Sequence, residues 1–119
     1  MYVDVLMILN DPPYGNERTY NALRLAMNLQ RNHADVSLNV FLMGDATLGA
    51  KAGQRTPDGY YNIERMLKGV LVKGGRVLVC GTCIDTRAIG ESELLEGAAR
   101  SSMDELGNLT LSSDRVLIF

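Results

Sequence analysis

The only two cysteines of the chain stand three positions apart, in Cys80-Gly81-Thr82-Cys83. A cysteine thiolate is a nucleophile, a metal ligand and a partner in disulfide exchange, and its reactivity follows the ionised fraction. The residues before the pair, Arg76-Val77-Leu78-Val79, are mostly apolar and rich in β-branched types. Cys80 therefore falls where a strand stops and the backbone turns. Amides at the start of a following helix favour an anion there and lower a thiol pKa. Gly81 leaves the sulfur accessible and lets the backbone come close, and Thr82 completes the tight connection. Arg87, one turn beyond Cys83, is a candidate partner for an anionic sulfur. Asp85 opposes this unless it pairs with Arg87. The competing reading is packing, because a cysteine at the end of a buried strand is often a small core residue and nothing more.

Other chemistries lack their residues. There is no G-x-x-x-x-G-K-[ST] and no G-x-G-x-x-G, so no nucleotide fingerprint is present. His33 is the only histidine and ends a polar helical turn, which reads as a surface position far from the strand ends. It supplies neither a Ser–His–Asp arrangement nor, with two cysteines, a four-ligand zinc site, so no metal and no cofactor is expected. The net charge of −2 gives no basic footprint for direct nucleic-acid binding. No apolar run approaches the ~20 residues of a membrane span. The N-terminus runs into a strand without a basic lead-in, so no secretory signal is expected. Two close cysteines do not make a secreted disulfide scaffold, and the expected setting is a reducing cytoplasm.

The elements that position the cysteines alternate along the chain. Val3 to Leu9 is an apolar run interrupted only by Asp4, as in a strand buried on both faces. Asp11-Pro12-Pro13-Tyr14-Gly15 breaks it. A helix follows over about residues 16–32, with Asn16 as N-cap and Ala22, Leu25, Ala26 and Leu29 on one face. Val36 to Met43 is a second strand, closed by Gly44-Asp45. Ala46 to Ala50 makes a helical turn. Thr56-Pro57 fits an N-cap followed by proline, opening a helix with Ile63, Met66, Leu67 and Val70 inward and Gly74-Gly75 at its end. Arg76 to Cys80 is the third strand, with a short helix over 83–88 and a helical piece capped by Ser92. Ser102 and Glu105 fit a capping box for a helix to about Leu111, and Arg115 to Phe119 is the last strand. With 119 residues, the chain is one domain. Its fold class is α/β, a three-layer α/β/α sandwich around a mainly parallel sheet of four to five strands. Chemistry in such sheets collects at the carboxyl ends of the strands. Three loops land there: the one holding Tyr14 and Gly15, the one holding Gly44 and Asp45, and Cys80 to Cys83. Tyr14, Gly15, Gly44, Asp45, Gly81 and Thr82 are therefore candidate binding residues. Tyr60-Tyr61 reads as packing on neighbours or on another subunit.

The stretch Leu78 to Arg87 (LVCGTCIDTR) resembles the cysteine loop of the DsrE/DsrF-like proteins, the YchN and TusD group. So do Pro12-Pro13-Tyr14-Gly15-Asn16 after the first strand, Thr56-Pro57-Asp58-Gly59-Tyr60-Tyr61, and the ending Leu111 to Leu117 (LSSDRVL). The likeness spans the chain, and the order and spacing of the motifs carry it. It implies a parallel sandwich that assembles as a homo-oligomer, a trimer or a hexamer. It further implies a cysteine at the Cys80 position that takes a persulfide sulfur from a donor protein and passes it to an acceptor. Cys83 is a departure from the simplest relay pattern and is open to three roles: relay, resolving disulfide or structure. Two other functions stay open from the residues. A C-x-x-C at a helix start suits a thiol–disulfide oxidoreductase, although Pro12, Pro13 and Pro57 all precede the motif. A non-catalytic oligomeric module would bind a small ligand with the Pro12–Gly15 loop and the tyrosines.

Overall fold

The computed structural model describes all 119 residues, Met1 to Phe119. Five strands, β1 (Val3–Leu9), β2 (Val36–Leu42), β3 (Arg76–Cys80), β4 (Ala98–Ser101) and β5 (Arg115–Ile118), form one sheet in the order β4-β3-β2-β1-β5. Every neighbouring pair is parallel. The helices are α1 (Arg18–Asn32), α2 (Ile63–Val72), α3 (Gly81–Thr86) and α4 (Met103–Ser112). The α/β/α sandwich is as expected from the alternation of periods. The fifth strand is β4, an edge strand of sequence Ala-Ala-Arg-Ser.

Side chains alternate across the sheet, so each strand feeds two cores. Val5, Met7 and Leu9 of β1, Leu38, Val40 and Leu42 of β2, and Val77 and Val79 of β3 meet α1 and α2 in a cluster of 20 buried residues. Leu6, Ile8, Phe41, Leu78 and Cys80 point the other way and meet Leu106 of α4 in a cluster of six. Cys80 belongs to the smaller core.

Several helix boundaries differ from the sequence reading. Asn16 is not the N-cap of α1; Glu17 holds that position, and the Asn16 carboxamide accepts from the Arg18 amide at 2.9 Å one step earlier. Leu23 rather than Leu25 is buried on α1, because the helix turns Thr19, Ala22, Leu23 and Ala26 inward. Thr56-Pro57 does not open α2. Pro57–Gly59 forms a separate 3-10 turn, and Asn62 caps α2 by accepting from the Arg65 amide at 3.0 Å. The left-handed backbone of Asp58, Gly59 and Tyr61 breaks the helical path between them. Ser102 does cap α4, accepting from the Glu105 amide at 3.2 Å. The helix after β3 starts at Gly81, two residues earlier than expected, so Cys80 itself is its N-cap residue.

Candidate functional site

Cys80 ends β3 and is 6% exposed. One flank is apolar, against Leu78, Phe41 and Leu106. The other flank is polar. The Cys80 Sγ lies 3.4 Å from the Thr82 hydroxyl. Burial pushes this thiol up, but hydrogen bonds from the Cys83 thiol, the Thr82 hydroxyl and the backbone amides of Cys83 and Thr82 outweigh it. The Cys80 pKa is held below the ordinary cysteine value. Cys83 moves the opposite way. Its half-buried thiol is raised by burial and by the neighbouring Cys80, against the lowering pull of the Gly44 amide and Arg87. The two sulfurs thus share one environment and divide it: the Cys80 pKa is lowered and the Cys83 pKa is raised. Both are free thiols.

The sequence reading placed Arg87 beside the reactive sulfur, and the structure gives it a different position. Arg87 Nε and Nη2 bind the Asp45 carboxylate at 3.0 and 2.9 Å, and Nη1 donates to the Cys83 carbonyl at 3.0 Å. Its charge acts on Cys83. Gly44 and Asp45 therefore do meet the cysteine loop, through the Cys83 side. Asp85 does not pair with Arg87. It binds Arg100 through two parallel bonds of 2.8 Å, and the Arg100 guanidinium lies over Gly81. A Cβ built on Gly81 would stand 2.7 Å from the Arg100 Cζ, so the glycine is what admits the guanidinium to the loop. The Arg100 charge couples with Cys80. Arg100 is the cation that sequence reasoning missed. The signal was the short strand around it: parallel pairing of β4 with β3 sets Arg100 opposite Val79, one residue from Cys80.

Tyr14 and Gly15 are not brought to the cysteines. The Tyr14 hydroxyl donates to Gln54 Oε1 at 2.5 Å and accepts from the Ile63 amide at 3.2 Å, at the start of α2. Together with Gly15, Tyr20, Tyr60 and Tyr61 it lines a cavity of about 520 Å³ that contains no residue of the cysteine loop. His33 sits exposed at the end of α1, as expected. No helix is long and apolar enough to cross a membrane, and no group of three or more acidic, histidine or cysteine side chains is placed to hold a metal ion.

A parallel α/β/α sandwich carrying a free thiol pair at the carboxyl end of an inner strand defines the class of protein. The chain belongs to the DsrE/DsrF-like family, whose profile matches residues 4–119. It is 37% identical over 115 residues to the protein YchN of Escherichia coli K12, covering 97% of each chain. It is 35% identical over 113 residues to the protein MJ0989 of Methanocaldococcus jannaschii, covering 95% of this chain and 96% of that one. The crystal structure of the E. coli ychN protein superposes with a TM-score of 0.93 over 98% of this chain and 99% of its own. MTH1491 of Methanobacterium thermoautotrophicum shares the fold, with a TM-score of 0.77 at 15% identity over 98% of this chain and 99% of its own.

Proposed function

We propose that the protein carries sulfur as a persulfide on Cys80. The observation behind this reading is the set of donors around one thiol: two amides, a hydroxyl and a second thiol hold Cys80 toward its anionic form although it is 6% exposed. A packing cysteine in an apolar core has no such set, and burial alone would suppress its ionisation. Membership of the DsrE/DsrF-like family supports the same role.

The transfer is redox-neutral. The Cys80 thiolate attacks the outer sulfur of a donor persulfide. A Cys80–sulfur bond forms, the donor's sulfur–sulfur bond breaks, and the electron pair leaves on the donor thiolate. Thr82, the loop amides and Arg100 stabilise the anion on the carried sulfur, and an acceptor thiolate removes that sulfur by the same exchange. Small exposure suits this chemistry, because a persulfide shielded from bulk thiols reaches its acceptor before it is reduced. It also requires donor and acceptor to present a slender sulfur terminus at the sheet edge.

The carrier works as a homo-oligomer, the trimer or hexamer that the family resemblance implies, within a reducing cytoplasm. The smaller core supports an assembled form: Ile118 on that face and Met103 and Leu111 on α4 are exposed apolar side chains with nothing of their own chain over them.

The test is mass spectrometry after incubation with a persulfide donor and no reductant. One added sulfur atom on Cys80, absent in Cys80→Ser and retained in Cys83→Ser, is the expected result. An unmodified Cys80 under those conditions removes the carrier reading. Two free thiols three residues apart favour one alternative, a dithiol–disulfide exchange. Rapid insulin reduction that needs both cysteines would select it.

A further inference from the structure

Away from the cysteine edge, a groove with a volume of about 710 Å³ runs between α1 and α2. Three arginines line it, Arg24 and Arg31 from α1 and Arg65 from α2, and no aspartate or glutamate does. Tyr20, Arg24 and Arg31 are spaced four and seven apart, which sets them along one helical face. The chain's six ion pairs use Arg18, Lys51, Lys68, Arg76, Arg87 and Arg100, leaving these three guanidiniums without a carboxylate. Three uncompensated cations on one groove, in a chain of net charge −2, amount to a local field that attracts anions.

One end of the groove is aromatic. The ring centroids of Tyr20 and Tyr61 are 4.6 Å apart, and those of Tyr60 and Tyr61 4.2 Å. The Arg24 guanidinium stands 5.8 Å over the Tyr20 ring. Arg65 lies against Gly59, where a Cβ would collide with its guanidinium. Tyr61 has φ +60 and Asp58 φ +51, the left-handed region that bulky residues avoid. Such conformations persist where the surroundings enforce them and cluster at ligand clamps. Beyond the tyrosines, the adjoining cavity carries Glu17 and no basic residue, so the cationic character stops at the aromatic wall.

We propose that this groove binds a small aromatic phosphate ester, its ring against Tyr20 and Tyr61 and its phosphate on Arg24, Arg31 and Arg65. Guanidinium forks match phosphate oxygens two at a time, and three of them suit a dianion better than a single carboxylate. Tyrosine faces take a planar ring in offset or edge contact. The groove volume is that of small-molecule sites. Recognition here uses side chains on two helices and on the turn before the second, and needs no glycine-rich loop. The site is separate from Cys80 and does not depend on the carrier role.

The experiment is calorimetric titration of the whole protein with AMP, with adenosine and inorganic phosphate as parallel arms. AMP binds about tenfold or more tighter than either fragment, because ring and phosphate contacts combine. Arg31→Gln and Arg65→Gln each weaken AMP about fivefold or more while melting as the wild type does, since both side chains are exposed. Cys80→Ser binds AMP as the wild type does, so loss of sulfur loading and loss of ligand binding are read independently. No heat at millimolar AMP, equal affinity for phosphate alone, or binding indifferent to both arginine variants overturns the proposal.

Discussion

Beneath α1 and α2, 20 buried residues interlock, whereas beneath α4 only six do, and one of the six is Cys80. The same three inner strands build both cores, so strand composition is not the cause. The difference lies in the helices. On α1 and α2 six buried apolar side chains reach the sheet, while on α4 Leu106 is the only buried residue. Met103, Leu111 and Ile118 are 64%, 89% and 67% exposed around the thinner layer. The thick face holds most of the buried apolar side chains, and the thin face holds the Cys80 thiol beneath a single helix. The proposed carrier role would use both conditions on one sheet.

The contrast breaks first under core truncation. Leu67→Ala on α2 removes a fully buried side chain from the large cluster and costs about 2–5 kcal/mol. Leu106→Ala costs less, about 1–2 kcal/mol, because its site borders a thin layer that collapses more readily. Chemical denaturation of the two variants side by side checks this. Equal losses would show the two faces to be energetically equivalent and would end the argument from their depth.

Glu64 sharpens the same comparison. On the thick side this buried carboxylate accepts from the Gly53 and Gln54 amides at 3.0 and 2.9 Å and pairs with Lys68 at 3.1 Å. Burial pushes its pKa up, but the Gln54 amide, Lys68 and the Gly53 amide pull it further down, so it lies below the ordinary glutamate value. A carboxylate depressed on folding contributes stability that is present above its unfolded pKa and is lost as the pH falls through the folded one. Glu64→Gln therefore costs about 1–2 kcal/mol at neutral pH, and its deficit against the wild type shrinks on acidification below the ordinary glutamate range. Thermal melts of both proteins across that range measure it.

How far the sequence reached follows the same division. The inner strands and the larger core were legible, because apolar runs and 3.6-residue periods are strong signals where burial is deep. The cysteine pair was legible as the end of an inner strand and the start of a helix, and the loop of Gly44 and Asp45 does meet it. The cation beside Cys80 was not legible. Arg87 was the nearer arginine in sequence, but the turn of α3 carries it to Asp45 and Cys83. Arg100 reaches the loop only because a short, half-exposed edge strand pairs with β3, and Ala98-Ala99-Arg100-Ser101 has neither β-branched residues nor alternation to announce a strand. Tyr14 was assigned to the wrong neighbourhood for a related reason. Its loop leaves the carboxyl edge of β1, but its hydroxyl is committed to Gln54 and the α2 amide.

Removing Arg100 tests whether this guanidinium tunes the thiol. Arg100→Ala withdraws a positive charge from Cys80 and lets the thiol pKa rise toward its ordinary value. Alkylation of Cys80 at near-neutral pH then slows, with little change in fold stability, because the Asp85–Arg100 pair is exposed. Alkylation of Cys83, whose cation is Arg87 and whose thiol is raised by an anionic Cys80, does not slow. Slowing of both cysteines alike would show that the two arginines do not divide the pair between them.

The smallest expected change in stability comes from Gly81→Ala, and it is the most specific probe of the loop. Gly81 has no left-handed φ, so a methyl group there meets no backbone penalty, and alanine favours the helix that starts at this residue. What the methyl meets is the Arg100 guanidinium, 2.7 Å from the new Cβ at both Cζ and Nε. The end of a long side chain moves at little cost, so the melting midpoint shifts by less than the equivalent of about 1 kcal/mol. The guanidinium, however, is displaced from its seat over the loop, and Cys80 loses the same neighbour as in Arg100→Ala. Gly81→Ala is therefore expected to reproduce the slowed Cys80 alkylation of Arg100→Ala, and the double variant to add nothing further. A fully additive double variant would show that the two residues act on Cys80 independently, and the close approach at Gly81 would then have no part in setting the thiol.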